Sequence, residues 1–336
     1  MKNIAPLNPA LPRRLLQACP AYQPSPCTTQ ILEGRSITIK DETNRMGLGA
    51  FKALGGVYAV AQLIGAQFKE NIAPPDFTSD RVRKTAQGMT FVCASAGNHG
   101  MAVAAGARIF GAQARIHLAH TVPEGFAIRL RAQSATVVRS GNDYQASVEA
   151  AIQDAAQNNA IHLADGSWPG YTEPPRLVME GYTVIAEELR EQFEATSNWP
   201  SHVYLQAGVG GLAAAIAFMI RSSWAVQPEI IIVEPDAAPC LRDSKAAGQL
   251  VTVTGPDSNM GRLDCKTPSM LAFETLREAA DRYVTLSDEQ AQQAVITAKS
   301  MGFSTTPSGV AGLAVCLAED APNPLVILSE GDIPDA

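Results

Sequence analysis

The chain of 336 residues carries 33 acidic and 26 basic side chains, a formal net charge of −7, and 46% hydrophobic residues. No basic run interleaved with aromatics occurs, which argues against nucleic acid as a partner, and no apolar span of ~20 residues suited to crossing a membrane is present. The length exceeds one ordinary core, so two domains are expected, and 18% charged residues with plentiful Ala, Gly and Val suit helices packed closely on mainly parallel sheets.

The N-terminal segment is rich in Pro, is interrupted by Arg13 and Arg14, and lacks the apolar core of a signal peptide. Six cysteines, at positions 19, 27, 93, 240, 265 and 316, contain no C-x-x-C pair, so a reducing cytoplasm is the expected location. The first segment with chemical content is 39–56, where a strand-like run leads through Gly47 and Gly49 to Lys52 at the start of an Ala/Gly-lined helix. A lysine so held is partly desolvated and feels the positive end of the helix, which favours the free amine that a Schiff base requires. The plain alternative is a solvated surface lysine.

Further along, the apolar run 89–94 leads into Ser95-Ala96-Gly97-Asn98-His99-Gly100 and a small-residue helical pattern over 101–110. Strand, tight loop and helix follow one another, and such a loop offers backbone N–H groups to an anion such as a substrate carboxylate. Asn98 adds a donor suited to a ring hydroxyl oxygen. Strand-like runs at 90–93, 115–118, 136–139 and 161–164 alternate with helical stretches, including 143–157, and predict a βαβ series in a smaller domain. His117 and His120 sit three apart on a strand-like segment without nearby acidic ligands, and no metal site is expected. Ala207-Gly208-Val209-Gly210-Gly211-Leu212 then separates the strand-like 203–206 from the apolar helix 212–220. Its glycines let backbone amides close on a phosphate, whether of a nucleotide or of another ligand. Strands at 203–206, 230–234 and 325–328 are expected to build a larger domain, and 74–80 and 255–262 read as loops.

In this order of parts the chain resembles the fold type II pyridoxal-phosphate enzymes, the tryptophan synthase β and threonine dehydratase group. The resemblance implies a two-domain α/β fold of mainly parallel twisted sheets flanked by helices. Residues 1–56 with 166–336 form the larger, cofactor-binding domain and 57–165 the smaller, with pyridoxal 5'-phosphate in the cleft between them. It also implies that Lys52 carries the cofactor covalently, that Asn98 meets its ring oxygen, and that Gly208, Val209, Gly210 and Gly211 hold its phosphate. Ser329, at the end of the strand 325–328, would stand beside the ring nitrogen, while Ser95, Ala96, Gly97 and His99 bind the substrate. A homodimer is implied as well, with 255–262 near the substrate mouth.

Within that group, residues 47–56, Asp165-Gly166-Ser167-Trp168-Pro169-Gly170-Tyr171-Thr172, Pro175, Met179-Glu180-Gly181-Tyr182 and Val233-Glu234-Pro235-Asp236 resemble the diaminopropionate ammonia-lyases, along nearly the whole chain. The implied reaction is β-elimination from 2,3-diaminopropionate to give pyruvate and ammonia, with Lys52 as base. Asp165 is then the carboxylate beside the leaving β-ammonium, where a desolvated charge pair outweighs a neutral hydrogen bond. Read alone, Asp165 is a strand-end aspartate capping a turn. Trp168 and Tyr171 read as packing and loop-ordering residues whose rings can wall off water from the cofactor.

One departure bears on stereochemistry. Those lyases carry an aspartate where this chain has Ala96, and with it remove the Cα proton from either face. Ala96 cannot act as a base, so an L-preferring enzyme is expected. The loop Ser-Ala-Gly-Asn-His is also closer to that of serine/threonine dehydratases. A dehydratase or a cysteine synthase-like β-replacement enzyme is therefore the alternative, and a catalytically silent binding protein of the same fold is the third.

Overall fold

The computed structural model describes residues 7–332. The first six residues of the proline-rich segment, and residues 333–336 of the expected larger domain, lie outside the described residues.

Ten strands are β1 (Cys27–Leu32), β2 (Arg35–Asp41), β3 (Thr90–Ala94), β4 (Gln113–Leu118), β5 (Thr136–Arg139), β6 (Ile161–His162), β7 (His202–Gln206), β8 (Glu229–Pro235), β9 (Arg282–Leu286) and β10 (Pro324–Leu328). They form a six-stranded sheet in the order β1-β2-β10-β7-β8-β9, antiparallel at β1/β2 and parallel elsewhere, and a parallel four-stranded sheet in the order β5-β4-β3-β6. Ile230, Ile231, Ile232 and Val233 are wholly buried, as are Leu325, Val326, Ile327 and Leu328. Such continuous apolar runs are what parallel strands covered by helices on both faces require.

The strand orders explain where a ligand can sit. In the four-stranded sheet the chain runs outward through β3, β4 and β5, then returns to place β6 on the other side of β3. The larger sheet repeats the device: β7, β8 and β9 run one way, and β10 returns to the other side of β7. At each reversal the connections leave opposite faces and open a crevice at the carboxyl ends of the strands. The segments that follow β3, β6, β7 and β10 carry Ser95, Asp165, Gly208 and Ser329 respectively.

Three differences from the sequence expectations have physical causes. The strand expected over 161–164 ends at His162, because the Tyr171 hydroxyl takes the next ladder positions: it donates to the His162 carbonyl oxygen at 2.8 Å and accepts from the Ala164 N–H at 3.0 Å. β9, with Arg, Tyr and Thr among its five residues, lies at the sheet edge and carried no apolar run to announce it. His117 does have an acidic neighbour: its Nε2 lies 2.8 Å from Asp154 Oδ2, contributed by the helix Tyr144–Gln157 that packs on β4. No group of three or more His, Cys, Asp or Glu side chains able to hold a metal occurs among the described residues, and none of their helices is long and apolar enough to cross a membrane.

The helix that begins at Lys52 (Lys52–Gly65) is clasped from two directions. A Cβ on Gly55 would stand 2.6 Å from the Val178 carbonyl oxygen, one on Gly181 would stand 2.6 Å from Gly55 Cα, and one on Gly56 would stand 2.5 Å from Ala102 Cβ. The glycines of the Lys52 motif therefore let the helices Glu173–Thr196 and Asn98–Phe110 approach it at backbone distance. Just upstream, the wholly buried Arg45 places all five of its N–H groups: Nε on Glu42 (2.6 Å), Nη1 on Glu188 (2.9 Å) and the Gln23 carbonyl (2.8 Å), and Nη2 on Glu42 (2.6 Å), Glu188 (2.8 Å) and Ser25 Oγ (2.9 Å). Lys40 Nζ adds a bond to Glu188 at 2.6 Å. Burial raises the Glu188 carboxyl, but its bonds and charge contacts with Arg45 and Lys40 outweigh that and hold it below its ordinary range.

Candidate active site

Lys52 is the first residue of its helix, and the turn that delivers it is stitched to the end of β10. The Phe51 N–H donates to the Ser329 carbonyl oxygen at 3.1 Å, the Gly331 N–H donates to the Gly49 carbonyl oxygen at 3.0 Å, and Ala50 bridges Glu330. Met46, Gly47 and Gly49 all take positive φ (53°, 71° and 84°), which turns the chain sharply enough to reach that strand end. Lys52 and Ser329, far apart in sequence, are thus neighbours by backbone hydrogen bonding.

After β3, Ser95 to Gly97 form the tight loop, and Asn98 opens the next helix. Gly100 is obligatory there, since a Cβ would lie 2.4 Å from the Ser95 carbonyl oxygen. His99 Nε2 meets the Leu163 carbonyl oxygen at 2.8 Å. That acceptor assigns the ring proton to Nε2, and burial depresses the ring's protonation, so His99 is neutral and keeps Nδ1 as an acceptor. After β7, Gly210 takes φ +97°, and the helix Gly211–Ser223 starts without a side-chain cap, leaving its first N–H groups facing outward.

These segments surround one cavity of about 430 Å³. Lys52, Ser95, Ala96, Gly97, Asn98, His99, Asp165, Gly208, Val209, Gly210, Gly211 and Ser329 all line it. Lys52 Nζ donates to Asp165 Oδ2. Burial raises the Asp165 carboxyl, but the Lys52 charge, His99 and the hydrogen bond from Lys52 outweigh it, so the group lies well below the usual carboxylate range and is ionised. Trp168 and Tyr171 are not among the lining residues: they stack on each other with ring centroids 4.3 Å apart and order the loop that follows Asp165. They shape the strand end that presents Asp165 and are not a wall against water.

Several lining residues were given no role by the sequence reading, Glu330, Tyr182, Cys265 and Arg262 among them. Glu330 accepts from Asn98 Nδ2 and from Thr306 Oγ1 (2.6 Å), tying the loop after β3 to the end of β10. Tyr182 is buried with its ring edge against Phe51 (centroids 4.8 Å apart). Cys265, its thiol pushed up to about 11 by burial, lies beside Gly208. Arg262 reaches the cavity from the loop between β8 and β9. The signals for them were Glu330 directly following Ser329, Tyr182 lying in the Met179–Tyr182 element, and Arg262 closing the loop 255–262 that the family resemblance places near the substrate mouth.

A lysine amine at a helix start, an uncapped glycine loop at another helix start and a strand-end hydroxyl, gathered at two topological switch points, define an enzyme site for a phosphorylated carbonyl cofactor. The chain belongs to the pyridoxal-phosphate dependent enzymes, a family whose match covers residues 19–329. It is 33% identical over 288 residues to the diaminopropionate ammonia-lyase of Escherichia coli K12, spanning 84% of this chain and 72% of that protein. The structure of the holo diaminopropionate ammonia-lyase from Escherichia coli superposes with a TM-score of 0.85 at 29% identity, covering 96% of this chain and 88% of that one. A probable D-serine dehydratase of Ectopseudomonas mendocina is 27% identical over 287 residues, 79% of this chain and 62% of that protein.

The cavity fits the cofactor that the family carries. Three buried polar atoms of lining residues, His99 Nδ1, Tyr182 Oη and Gln206 Oε1, have no hydrogen-bond partner among the described residues, and the glycine cradle presents backbone N–H groups where any Cβ on Gly208 would collide with Cys265 and with the Arg262 carbonyl.

Proposed function

We propose that the enzyme is a pyridoxal-phosphate dependent β-eliminating ammonia-lyase that converts L-2,3-diaminopropionate and one water to pyruvate and two ammonia. The observation that carries this reading is the Asp165 carboxylate, held ionised against Lys52 in the cavity, with Ala96 on the loop after β3. In this reading Lys52 holds the cofactor, residues 208–211 take its phosphate, Asn98 donates to its ring oxygen, and the neutral Ser329 hydroxyl serves its ring nitrogen. When bound, pyridoxal phosphate supplies an electron sink for the pair left behind as the Cα proton departs.

Every remaining task falls to the chain. Ser95, Gly97 and His99, with the backbone of Ala96, bind the substrate's carboxylate end. Lys52 Nζ takes the Cα proton. Asp165 pairs with the β-ammonium, and a fixed carboxylate inside a cavity discriminates that cation from a hydroxyl far better than one in water would. Ammonia leaves, and water completes the release of pyruvate. A methyl group at Ala96 offers no base to the opposite face, which restricts proton removal to the face that Lys52 serves.

The same reading takes 1–56 with 166–336 and 57–165 as the two domains, and expects a cytoplasmic homodimer. Support for the location is the state of the cysteines, all six of which are free. A dehydratase reading draws on Ala96 in the Ser-Ala-Gly-Asn-His loop and on the likeness to D-serine dehydratases. Release of pyruvate and ammonia from L- and D-2,3-diaminopropionate, L-serine and L-threonine separates the two. Turnover of the L-diamine with little from the others supports the lyase; turnover confined to the hydroxy amino acids overturns it, and equal rates on both diamine isomers overturn the L-preference.

A further inference from the structure

Arg262 is anchored at its backbone and at its head. Its N–H donates to Ser308 Oγ at 3.1 Å, and its carbonyl oxygen lies 2.9 Å from where a Cβ on Gly208 would stand. Its guanidinium lies against Gly97: a Cβ there would be 3.0 Å from Cζ and 3.1 Å from Nη1. The Phe126 ring faces the guanidinium, with its centroid 5.8 Å from Cζ. One residue of the six-stranded sheet's β8–β9 loop thus reaches from the glycine loop after β7 to the anion-binding loop after β3.

The guanidinium is positioned but unused. Among the described residues no hydrogen bond from the Arg262 side chain is formed; its nearest carboxylate oxygen, Glu330 Oε2, is 4.0 Å from Nε, and both Glu330 oxygens already accept from Asn98 and Thr306. The other basic side chain lining the cavity, Lys52, donates to Asp165. A planar fork of donors with no hydrogen bond among the described residues, set over the Phe126 ring at the mouth of a cavity, matches a carboxylate in shape and charge.

We propose that Arg262 is a substrate-binding residue that pairs with the α-carboxylate of the amino acid lying on the 95–99 loop, adding a charged contact to the loop's backbone N–H groups and joining the two sheets across the bound substrate. This rests on the reading above that the 95–99 loop takes the carboxylate, and it is independent of which β-substituent leaves. It also gives Gly97 a reason to be glycine, since a side chain there would displace the guanidinium.

The test compares wild-type holoenzyme with R262A and R262K on L-2,3-diaminopropionate and on its α-carboxamide. R262A raises KM for the acid about 10- to 100-fold with kcat within about threefold, R262K recovers part of the loss, and KM for the carboxamide is the same in all three. Equal losses on acid and amide, or an unchanged KM for the acid, overturn the proposal. Calorimetric titration with L-alanine, which has no β-leaving group, reads carboxylate binding without turnover: R262A weakens it by a similar factor, and an unchanged affinity overturns the proposal. Failure of the wild type to turn over the diamine, with alanine binding still dependent on Arg262, would sink the proposed reaction and leave this assignment standing.

Discussion

Two charged clusters meet at the Lys52 turn, and they differ in how fully their hydrogen-bonding groups are used. In the upstream cluster, Arg45, Lys40, Glu42 and Glu188 are buried, bonded at 2.6–2.9 Å, and every guanidinium N–H of Arg45 has an acceptor. In the cleft, Lys52 holds a carboxylate, the Arg262 guanidinium forms no hydrogen bond among the described residues, and His99, Tyr182 and Gln206 keep unpartnered atoms. A saturated network has no capacity left for a ligand and serves to fix the turn in place. Chemistry needs the reverse, groups whose geometry is set while their donors and acceptors remain to be claimed.

The contrast can be broken most directly at its two lysine-bearing ends. Lys52→Ala should abolish elimination, a loss of about 10³-fold or more, together with reductive labelling of the chain at that position by borohydride, while the urea midpoint falls by no more than the loss of the Asp165 pairing. Substantial residual turnover would mean that another group is the base. Glu188→Ala should do the opposite. Removing it leaves Lys40 buried without a carboxylate partner and Arg45 with Glu42 alone, at a cost of about 3–5 kcal/mol in urea unfolding. A loss below about 1 kcal/mol would put that cluster in the same class as the cleft.

The smallest effect sharpens the comparison through pH. The Asp165 carboxyl lies below its ordinary value when folded, so its pairing contributes stability that is fully present above the unfolded value of about 4 and is lost as pH falls further. The stability gap between wild type and Asp165→Asn should therefore be flat from about pH 5 to 8 and shrink below about pH 4. Thermal unfolding across that range measures it, and a gap that widens in acid would contradict the pairing with Lys52.

Much of the cavity lining was legible because each of these glycine-containing loops is a local device. Strand, glycine turn and helix are contiguous in sequence, so Lys52, residues 95–99 and residues 208–211 could be placed before any coordinates. The upstream cluster was opaque: Arg45 and Glu188 are 143 residues apart, and a buried ion network leaves no periodicity in either segment. Arg262 was opaque for a related reason, since a loop residue's neighbours across a cleft are set by two sheets that the sequence does not register against each other. β1 and β9 lie at the edges of their sheet, where alternation is weak and polar residues are tolerated.

The stitching of the Lys52 turn to the end of β10 carries a consequence for how the enzyme is made. The Gly49 carbonyl oxygen and the Phe51 N–H are bonded to residues 331 and 329, and β2 is paired on one side by β10. A ribosome delivers those partners long after the Lys52 turn and the four-stranded sheet have emerged. The four-stranded sheet can close on itself as soon as β6 appears, but the Lys52 turn waits, unplaced, for β10. Placement of the Lys52 turn therefore coincides with completion of the six-stranded sheet and not with closure of the four-stranded one.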